Sequence, residues 1–424
     1  MTAVLLVLMF VLLFLSVPIA FAMAAATIVS VYVFSDFPIE VVTQKMFTAL
    51  DSFPLLAIPL FVLAGKLMET GGISRRLINL ASAFVGHTAG GYAAVGVVTC
   101  LFFGTMTGSS AATVAAIGSI LIPAMISRGY SPRFSAGAIA VPGELSSIIP
   151  PSIPMILYGV TTGTSIGTIF IAGVIPGIIL GLMLLATVFV ISKRHGYGGD
   201  VEKANWREKL KAIKESAAAM FMPVIILGGI YAGVFTPTEA AAVAVLYALI
   251  IGKFVYKELK IRSLIGFFAE AAITTASIMI IIAAAGLLSW YLTLNMIPQQ
   301  AAEFLTEISG NHIVYLLLVN LLLLIVGMFF EASSAILVLA PILTPVAIQF
   351  GIDPVHFGII MIVNLAMGMV TPPVGVNLFV SCQIANISLE EVTKGVLPFY
   401  IVLLFNILLI SYWPALSMWL PSLM

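Results

Sequence analysis

Two short stretches of small and polar residues interrupt long apolar segments of this sequence. The first is GTMTGSS at Gly104–Ser110, and the second is GMFFEASS at Gly327–Ser334. If each stretch reverses the chain inside a membrane, its backbone groups must be satisfied by protein or by a ligand. Carbonyls at the end of a half-helix, with Ser and Thr hydroxyls, suit Na⁺, whereas the N–H groups of the returning helices, near Ser110 and Ser334, suit an anion. The alternative is a helix-packing interface of small residues.

Two double prolines lie in the middle of two other apolar segments. They occur in SSIIPPS at 146–152 and in GMVTPPVG at 368–375. Because two successive prolines remove two amide donors, each segment is predicted to form two half-helices around an unwound centre. Discontinuous helices of this kind form substrate and ion sites in transporters, although a kink in a tilted helix is the alternative. Nearby polar side chains favour a site: Ser146, Ser147, Ser152, Thr371 and Asn377.

Glu331, Glu144 and Glu239 lie in or beside apolar segments, where a carboxylate is costly unless it is paired or hydrated. Glu331, in the second polar stretch, either belongs to a cation site or accepts N–H bonds that hold the chain reversal. Glu144 precedes the first double proline. It either contributes to a site there or faces water in a cytoplasmic half-helix, and we favour the second interpretation. Glu239 follows Thr236 and is expected to cap a helix.

The composition indicates that these residues belong to a membrane protein. Of the 424 residues, 61% are hydrophobic and 8% are charged, whereas a soluble domain has about 25% charged residues. The 18 basic and 18 acidic residues balance, which excludes a basic nucleic-acid-binding protein. The apolar segments are too long for barrel strands and predict an all-α polytopic fold. No metalloprotease or serine-hydrolase motif occurs, so we expect no enzymatic activity and no metal other than Na⁺.

The proline positions indicate an internal repeat. Five pairs of prolines are separated by 222 residues, which is an improbable coincidence among 22 prolines. The pairs are Pro123 and Pro345, Pro132 and Pro354, Pro150 and Pro372, Pro151 and Pro373, and Pro176 and Pro398. The sequences around the two polar stretches also correspond, with a slip of one residue.

The charges indicate that the two repeats have opposite orientations. The first repeat has two predicted basic loops, one with Lys66, Arg75 and Arg76 and one with Arg128 and Arg133. The matching loops of the second repeat contain no Lys or Arg. Because basic loops tend to stay on the cytoplasmic side, equivalent loops are expected on opposite faces of the membrane. Inverted repeats are typical of secondary transporters.

These patterns divide the chain into four predicted parts. In chain order they are N-terminal scaffold helices at 1–52, with two short spans in 2–34; a first inverted repeat at 53–192, with a re-entrant hairpin at 89–126 and a broken helix at 133–162; a cytoplasmic connector and linking scaffold helices at 193–263; and a second inverted repeat at 264–424, with a hairpin at 312–350 and a broken helix at 357–385. The basic segment 193–215 is expected to be a cytoplasmic loop.

Five segments together resemble the large permease subunit of tripartite ATP-independent periplasmic (TRAP) transporters. They are GTMTGSSAAT, SSIIPPSIPMILYG, GVFTPTEAAAVAVLYAL, GMFFEASSAILVLAPILTPVA and GMVTPPVGVNLFV. The resemblance covers essentially the whole chain. It implies a fold like that of the ion transporter superfamily, with a scaffold and a mobile transport domain that moves like an elevator. It also implies Na⁺-driven import of an organic acid anion, such as a C4-dicarboxylate or sialic acid, with Na⁺ as the coupling ion.

The same resemblance implies partners and a location. A periplasmic substrate-binding protein would deliver the anion, and a small four-helix membrane subunit would complete the transporter. That subunit is expected as a separate chain, because this sequence begins directly at the permease. The location would be the bacterial inner membrane, with several spans in the lipid bilayer and no nucleic-acid partner. Because the two polar stretches contain no Lys or Arg, anion recognition is expected to rely on half-helix N-termini, hydroxyls and Na⁺.

Finally, the resemblance implies two Na⁺ sites, each between a polar stretch and a double proline. The first would include Thr105, Gly108, Ser109, Ser110, Ser147 and Pro150. The second would include Gly327, Phe330, Glu331, Ser333, Thr371 and Pro372. The residues expected to contact the substrate are Ser110, Ser152, Ser334 and Asn377. A passive anion channel with re-entrant loops is the alternative function.

Overall fold

The computed structural model describes residues 2–35, 37–198 and 202–423 of the chain. Over these ranges the protein is helical and contains no strand beyond one isolated bridge between Ala89 and Gly198. Nine of the described helices are long and apolar enough to cross a membrane. The structure therefore agrees with the predicted all-α polytopic fold.

The helices follow one another with short connections. In the first half of the described chain they are α1 (Thr2–Phe14), α2 (Ile19–Phe34), α3 (Glu40–Leu50), α4 (Ala57–Thr70), α5 (Ile73–Val85), α6 (Gly91–Thr107), α7 (Ser110–Ser127), α8 (Pro132–Gly143), α9 (Leu145–Ile148), α10 (Ile153–Thr162) and α11 (Ile166–His195). In the second half they are α12 (Trp206–Tyr231), α13 (Pro237–Ile250), α14 (Ile261–Leu294), α15 (Ile297–Ser309), α16 (His312–Phe329), α17 (Ala332–Gln349), α18 (Pro354–Gly368), α19 (Val376–Ala385), α20 (Leu389–Tyr412) and α21 (Ala415–Met418).

The N-terminal apolar segment forms two helices and not one kinked helix. Ser16 adopts a left-handed conformation with φ of 63°, and Pro18 immediately precedes α2. The turn folds α2 back so that it packs against α1. Each helix is shorter than the roughly 20 residues of an upright span, and whether both cross the bilayer stays a prediction.

Two helix pairs have very short turns at the two polar stretches. Gly108 and Ser109 join α6 to α7, and Phe330 and Glu331 join α16 to α17. Both turns are shorter than the polar stretches that contain them, because the preceding helices extend into those stretches, to Thr107 and to Phe329. After α6 the N–H of Gly108 donates to the carbonyl of Gly104 at 3.2 Å. In the following sections, Gly108–Ser109 is called tip one and Phe330–Glu331 is called tip two.

The double prolines interrupt two helices in the middle. The first break lies between α9 and α10, and the second lies between α18 and α19. Both Pro-Pro bonds are cis. The half-helices before the breaks, α8 and α18, are buried along almost their whole length. After the breaks, α10 packs against α17, and α19 packs against α7 and α8. Each half of the sequence therefore contributes a half-helix that packs on the hairpin of the other half.

A second set of helices surrounds this centre. α2, α3 and α4 pack against the long helix α14, and α13 packs against α4. Lys66, expected in a loop, lies within α4, because that helix continues to Thr70 beyond the apolar segment. Gly65 brings α4 close to the first hairpin, since a Cβ at Gly65 would lie 3.3 Å from the Cα of Thr107. α4 is thus a wall of the space in front of tip one.

The basic segment 193–215 is not a single loop. α11 remains helical through His195, and α12 begins directly after Asn205. The Asn205 side chain accepts from the N–H of Glu208 at 2.9 Å, and the Glu208 carboxylate accepts from the N–H of Asn205 at 2.7 Å. This capping box starts the helix early and places most of the basic residues on its first turns. Residues 199–201 of the predicted loop lie outside the described residues.

Candidate functional site

Tip one is tied to the first helix break by hydroxyl groups. The hydroxyls of Thr107 and Thr113 share a hydrogen bond of 2.8 Å, and the hydroxyl of Ser146 donates to Thr113 at 2.7 Å. The N–H of Ile153, which follows the break, donates to the carbonyl of Gly108 at 3.4 Å. These bonds join α6, α7 and the broken helix in one polar cluster.

The turn at tip one depends on two glycines and a cap. Gly108 has a left-handed φ of 59°, which a residue with a side chain rarely adopts. Gly104 lies so close to the broken helix that a Cβ would be 2.7 Å from the Cα of Ser146. The Ser109 side chain caps α7 by accepting from the N–H of Ala112 at 3.5 Å. The backbone can therefore reverse here without a charged residue.

Tip two is capped by a carboxylate. One oxygen of Glu331 accepts from the N–H groups of Ser333 at 3.0 Å and Ser334 at 3.4 Å, and the other accepts from the hydroxyl of Ser333 at 2.9 Å. A negative charge at the start of α17 is also favourable for the helix dipole. Of the two sequence interpretations of Glu331, the structure therefore shows the one in which it holds the chain reversal. Its side chain nevertheless stays exposed, and its role in a cation site stays a prediction.

Tip two contacts the second break through backbone. The N–H of Gly375 donates to the carbonyl of Met328 at 3.1 Å. A Cβ at Gly327 would lie 2.8 Å from the carbonyl oxygen of Leu365 and 3.0 Å from the Cα of Gly368. The arrangement parallels that of tip one, where glycine at the end of the first helix also permits close contact with a broken helix.

Both tips face one cavity of about 420 Å³. Tip one contributes Gly108 and Ser109, and tip two contributes Glu331 with Ser333 behind it. The opposite wall comes from α4 and from the middle of α14, including Thr274 and Ser277. The cavity lies in the size range of small-molecule sites. The structure therefore brings the two polar stretches, far apart in sequence, to a common space.

A lysine also lines this cavity. The ammonium of Lys66 lies 3.2 Å from a carboxylate oxygen of Glu69 and 3.4 Å from one of Glu270. The side chain of Lys66 is 34% exposed. The tips themselves contain no Lys or Arg, whereas α4 places this lysine in the same cavity. How an anion is recognised there stays a prediction.

The residues expected at the first Na⁺ site divide into two groups. Gly108 and Ser109 line the cavity. The others lie behind them, buried against the first break: Thr105, Ser110, Ser147 and Pro150. The Thr105 hydroxyl donates to the carbonyl of Phe102 at 2.7 Å, and the Ser147 carbonyl accepts from the hydroxyl of Ser152 at 2.7 Å.

The residues expected at the second Na⁺ site divide in the same way. Glu331 and Ser333 line the cavity. Gly327 is buried against the second broken helix, whereas Phe330, Thr371 and Pro372 are half-buried. The Thr371 hydroxyl donates to the carbonyl of Met367 at 2.8 Å. In both sets the predicted residues are neighbours of one tip and one break, and their binding of Na⁺ stays a prediction.

Glu144 does not face water, contrary to the interpretation favoured from sequence. It is completely buried, and one of its oxygens accepts a hydrogen bond from the side-chain amide of Asn377. Ser110 lies beside the pair. The reason is that α19, which begins one residue before Asn377, packs into the angle between α7 and α8. Glu144 therefore links the first broken helix to the second.

The four residues expected to contact the substrate are all buried. Ser110 and Asn377 meet at Glu144, Ser152 bonds to the backbone of the first break, and the Ser334 N–H bonds to Glu331. None of the four lines the cavity between the tips among the described residues. Their contact with a substrate stays a prediction.

Two groups of residues at this site are not among those predicted from sequence. One is Thr113, which lies in the same GSSAAT motif as tip one and accepts the hydrogen bond from Ser146. Lys66 and Glu270 were not recognised as cavity residues. A signal was present, because each is a charge close to an apolar helical segment, and such residues tend to face a protein interior or a water-filled cavity.

Comparison with known proteins identifies the family. Residues 6–416 match the model of the family "Tripartite ATP-independent periplasmic transporter, DctM component". The chain is 46% identical to the isethionate TRAP transporter permease protein DctMQ of Oleidesulfovibrio alaskensis over 95% of its own length and 63% of that relative's length. It is 40% identical to the C4-dicarboxylate TRAP transporter large permease protein DctM of Rhodobacter capsulatus, over 96% of each chain.

A solved structure supports the fold. The YdaH transporter of Alcanivorax borkumensis superimposes with a TM-score of 0.64 and 15% sequence identity, covering 89% of this chain and 88% of that one. At this identity the likeness concerns the fold alone. The family match extends over nearly the whole sequence and includes both tips and both breaks. This chain therefore belongs to the DctM family of tripartite ATP-independent periplasmic transporters, and it is a multi-span membrane permease and not an enzyme.

Proposed function

We propose that this permease imports an organic acid anion together with Na⁺ across the bacterial inner membrane. The observation that carries the proposal is the cavity shared by the two tips, one of which ends in the carboxylate of Glu331. A cavity with an acidic group, hydroxyls and a nearby lysine can hold a cation and an anion together. The names of the two relatives, isethionate and C4-dicarboxylate permeases, support an organic anion as the cargo.

Two Na⁺ ions would be bound as cargo, one at each tip. At tip one the donors would be neutral oxygens from the tip and from the first break, chiefly Ser109, Ser110 and Ser147. At tip two the carboxylate of Glu331 would add a full charge, with Thr371 on the break. Na⁺ next to Glu331 would neutralise that charge, and the cavity would then accept an anion more readily. Substrate contacts would include Ser110, Ser152, Ser334 and Asn377, which would be exposed if the tips separate from the breaks.

The movement would be of the elevator type. The buried half-helices α8 and α18, with the two hairpins, would form the transport domain, and α2, α3, α4 and α14 would belong to the scaffold. The predicted inverted repeats, at 53–192 and 264–424, supply two similar gates of opposite orientation, which is the arrangement that alternating access requires. A small four-helix membrane subunit would complete the transporter, and a periplasmic substrate-binding protein would deliver the anion.

The test is uptake into proteoliposomes that contain this chain, its small subunit and the cognate binding protein. Labelled isethionate, succinate and N-acetylneuraminate serve as probes, with an inward Na⁺ gradient or an equal K⁺ gradient. We expect one probe to accumulate only with Na⁺ and only with the binding protein. Uptake at full rate without Na⁺ would contradict the proposal, and a large conductance independent of substrate would indicate a passive anion channel.

A further inference from the structure

We propose that Lys66 binds the anionic group of the transported substrate and that Glu270 competes for the same ammonium. This inference rests on the proposed function and names a residue in its substrate site. It begins from the position of Lys66, which lies in the wall opposite the two tips and in the same cavity as Glu331. An anion that occupies this cavity would meet the ammonium directly.

The fold places Lys66 there by close packing of α4 against the first hairpin. Its neighbour Gly65 approaches the backbone of Thr107, where a side chain would be 3.3 Å from the Cα. The next residues on the cavity-facing side of α4 are Lys66 and, three positions later, Glu69. The lysine is therefore held within the cavity by helix packing and not by a flexible loop.

The ion pairs of Lys66 are unequal. Glu69 is on the same helix, three residues away, and its side chain is 33% exposed. Glu270 reaches Lys66 from α14, and its side chain is 59% exposed. An ion pair with an exposed partner contributes little to stability. Water can stabilise the exposed carboxylate nearly as well as the lysine ammonium can. Glu270 is therefore the partner that an incoming anion can replace most easily.

Such an exchange leaves the number of anionic groups in contact with the Lys66 ammonium unchanged. One carboxylate leaves the ammonium and one carboxylate or sulfonate group takes its place, while Glu69 keeps the lysine in position. An ammonium has three donor hydrogens and no fixed acceptor geometry, so it can bind either kind of anionic group. The predicted ligand is an organic molecule of a size compatible with the cavity, bearing at least one carboxylate or sulfonate.

The alternative is that Lys66 only links α4 to α14 through its ion pair with Glu270. The two helices already pack against each other, and the Glu270 carboxylate is largely exposed. The two explanations make opposite predictions for Glu270. If Lys66 only links the two helices, loss of Lys66 and loss of Glu270 break the same ion pair and should change the KM in the same direction. If Lys66 binds the substrate, loss of the lysine weakens anion binding, whereas loss of its competitor strengthens it.

The experiment measures the apparent KM of the reconstituted transporter for the probe that wild type accumulates with Na⁺. For Lys66→Gln we expect an increase of roughly tenfold or more, as for loss of a hydrogen bond to a charged group. For Glu270→Gln we expect a decrease of about twofold to fivefold, the scale of an exposed ion pair. Lys66→Arg should stay much closer to wild type. Lys45→Gln is the matched control, since Lys45 lies 5.6 Å from the Trp290 ring and lines a different cavity.

Three outcomes decide the matter. If Lys66→Gln keeps the wild-type KM, or if it and Glu270→Gln shift KM in the same direction, Lys66 does not bind the anion. If Lys66→Gln fails to fold, Glu270→Gln decides, because only competition predicts a lower KM. If wild type accumulates no probe with Na⁺, the proposed function itself fails. The concentration of Na⁺ that gives half-maximal uptake at saturating anion should stay near the wild-type value in both variants, which separates anion binding from cation binding.

Discussion

The two hairpin tips share a backbone architecture and differ in the chemistry of their caps. At both tips a two-residue turn follows a helix, and a glycine of that helix allows contact with a broken helix. At tip one Ile153 donates an N–H to Gly108 of the turn, and at tip two Gly375 donates an N–H to Met328 in the helix just before the turn. Tip one is capped by the hydroxyl of Ser109, whereas tip two is capped by the carboxylate of Glu331. The repeat therefore preserves the geometry of a site while the charge within it changes.

A second difference concerns how each tip is tied to its break. Tip one uses a chain of three hydroxyls, from Thr107 through Thr113 to Ser146. In the corresponding sequences, with their slip of one residue, the position of Thr113 is taken by Leu337, which is buried. Both hairpins therefore contact a break through backbone, and the neutral tip adds a chain of side-chain hydrogen bonds to that contact. The difference teaches that the same backbone contact accommodates either hydroxyl groups or a carboxylate cap.

The largest expected effect tests the geometry that the tips share. Gly327→Ala and Gly104→Ala each place a methyl group within 3 Å of backbone atoms of a broken helix. Because backbone cannot give way as a flexible side chain does, we expect about 3 kcal/mol of lost stability for each, seen as a lower melting temperature in detergent. Gly228→Ala is the matched control, since a Cβ there meets nothing within 4 Å. Normal melting of either tip variant would show that the close contacts are not needed.

The next effect tests the difference in charge. Glu331→Gln keeps the size of the side chain and removes the carboxylate that accepts from Ser333 and Ser334. If this charge contributes to a Na⁺ site, the Na⁺ concentration for half-maximal uptake should rise roughly 10- to 100-fold, the equivalent of about 1.4 to 2.8 kcal/mol. The matched control is Glu303→Gln, on the exposed part of α15. An unchanged Na⁺ dependence would leave Glu331 as a structural cap only.

These comparisons also show which features the sequence could predict. The helix breaks follow from proline itself, because two missing amide donors interrupt a helix wherever they occur. The position of each tip follows from local composition, but its length does not. Gly104 and Thr105 are small or polar and yet helical, because close packing on Ser146 keeps α6 intact. Local polarity marks where a turn lies, and tertiary contact decides how many residues it takes.

The site required information that no local pattern contains. Lys66 follows an apolar stretch, and the sequence therefore predicts it in a loop. In the structure the close approach of Gly65 to Thr107 places Lys66 in the cavity. The expectation that Glu144 faces water is wrong because its partner Asn377 lies 233 residues away, and no local pattern indicates that contact. Side chains whose partners are close in sequence are predictable, such as the helix cap Glu239, whose carboxylate accepts from the N–H of Thr236 at 2.8 Å. Side chains that act through distant partners are not.

A smaller effect tests the hydroxyl chain that only tip one has. Thr113→Val keeps the shape of a completely buried side chain and removes the acceptor of the Ser146 hydroxyl. Leaving that buried hydroxyl without its partner should cost about 1–2 kcal/mol of stability. Leu337→Ile at the corresponding position of the second hairpin is the control for a shape change without loss of a hydrogen bond. Equal melting temperatures for both variants would remove the proposed difference in anchoring.

The smallest effect concerns the cap of tip one. The Ser109 side chain accepts from Ala112 over a long distance, 3.5 Å, so Ser109→Ala should cost about 1 kcal/mol or less. Ser119→Ala on the same helix is the control, because its hydroxyl bonds only to the carbonyl of Ala116 one turn earlier. In uptake, Ser109→Ala should raise the Na⁺ requirement by less than Glu331→Gln does, since backbone carbonyls remain at the neutral tip. If the serine variant has the larger effect, coupling depends on the neutral tip, and the charge at Glu331 serves the fold more than the ion.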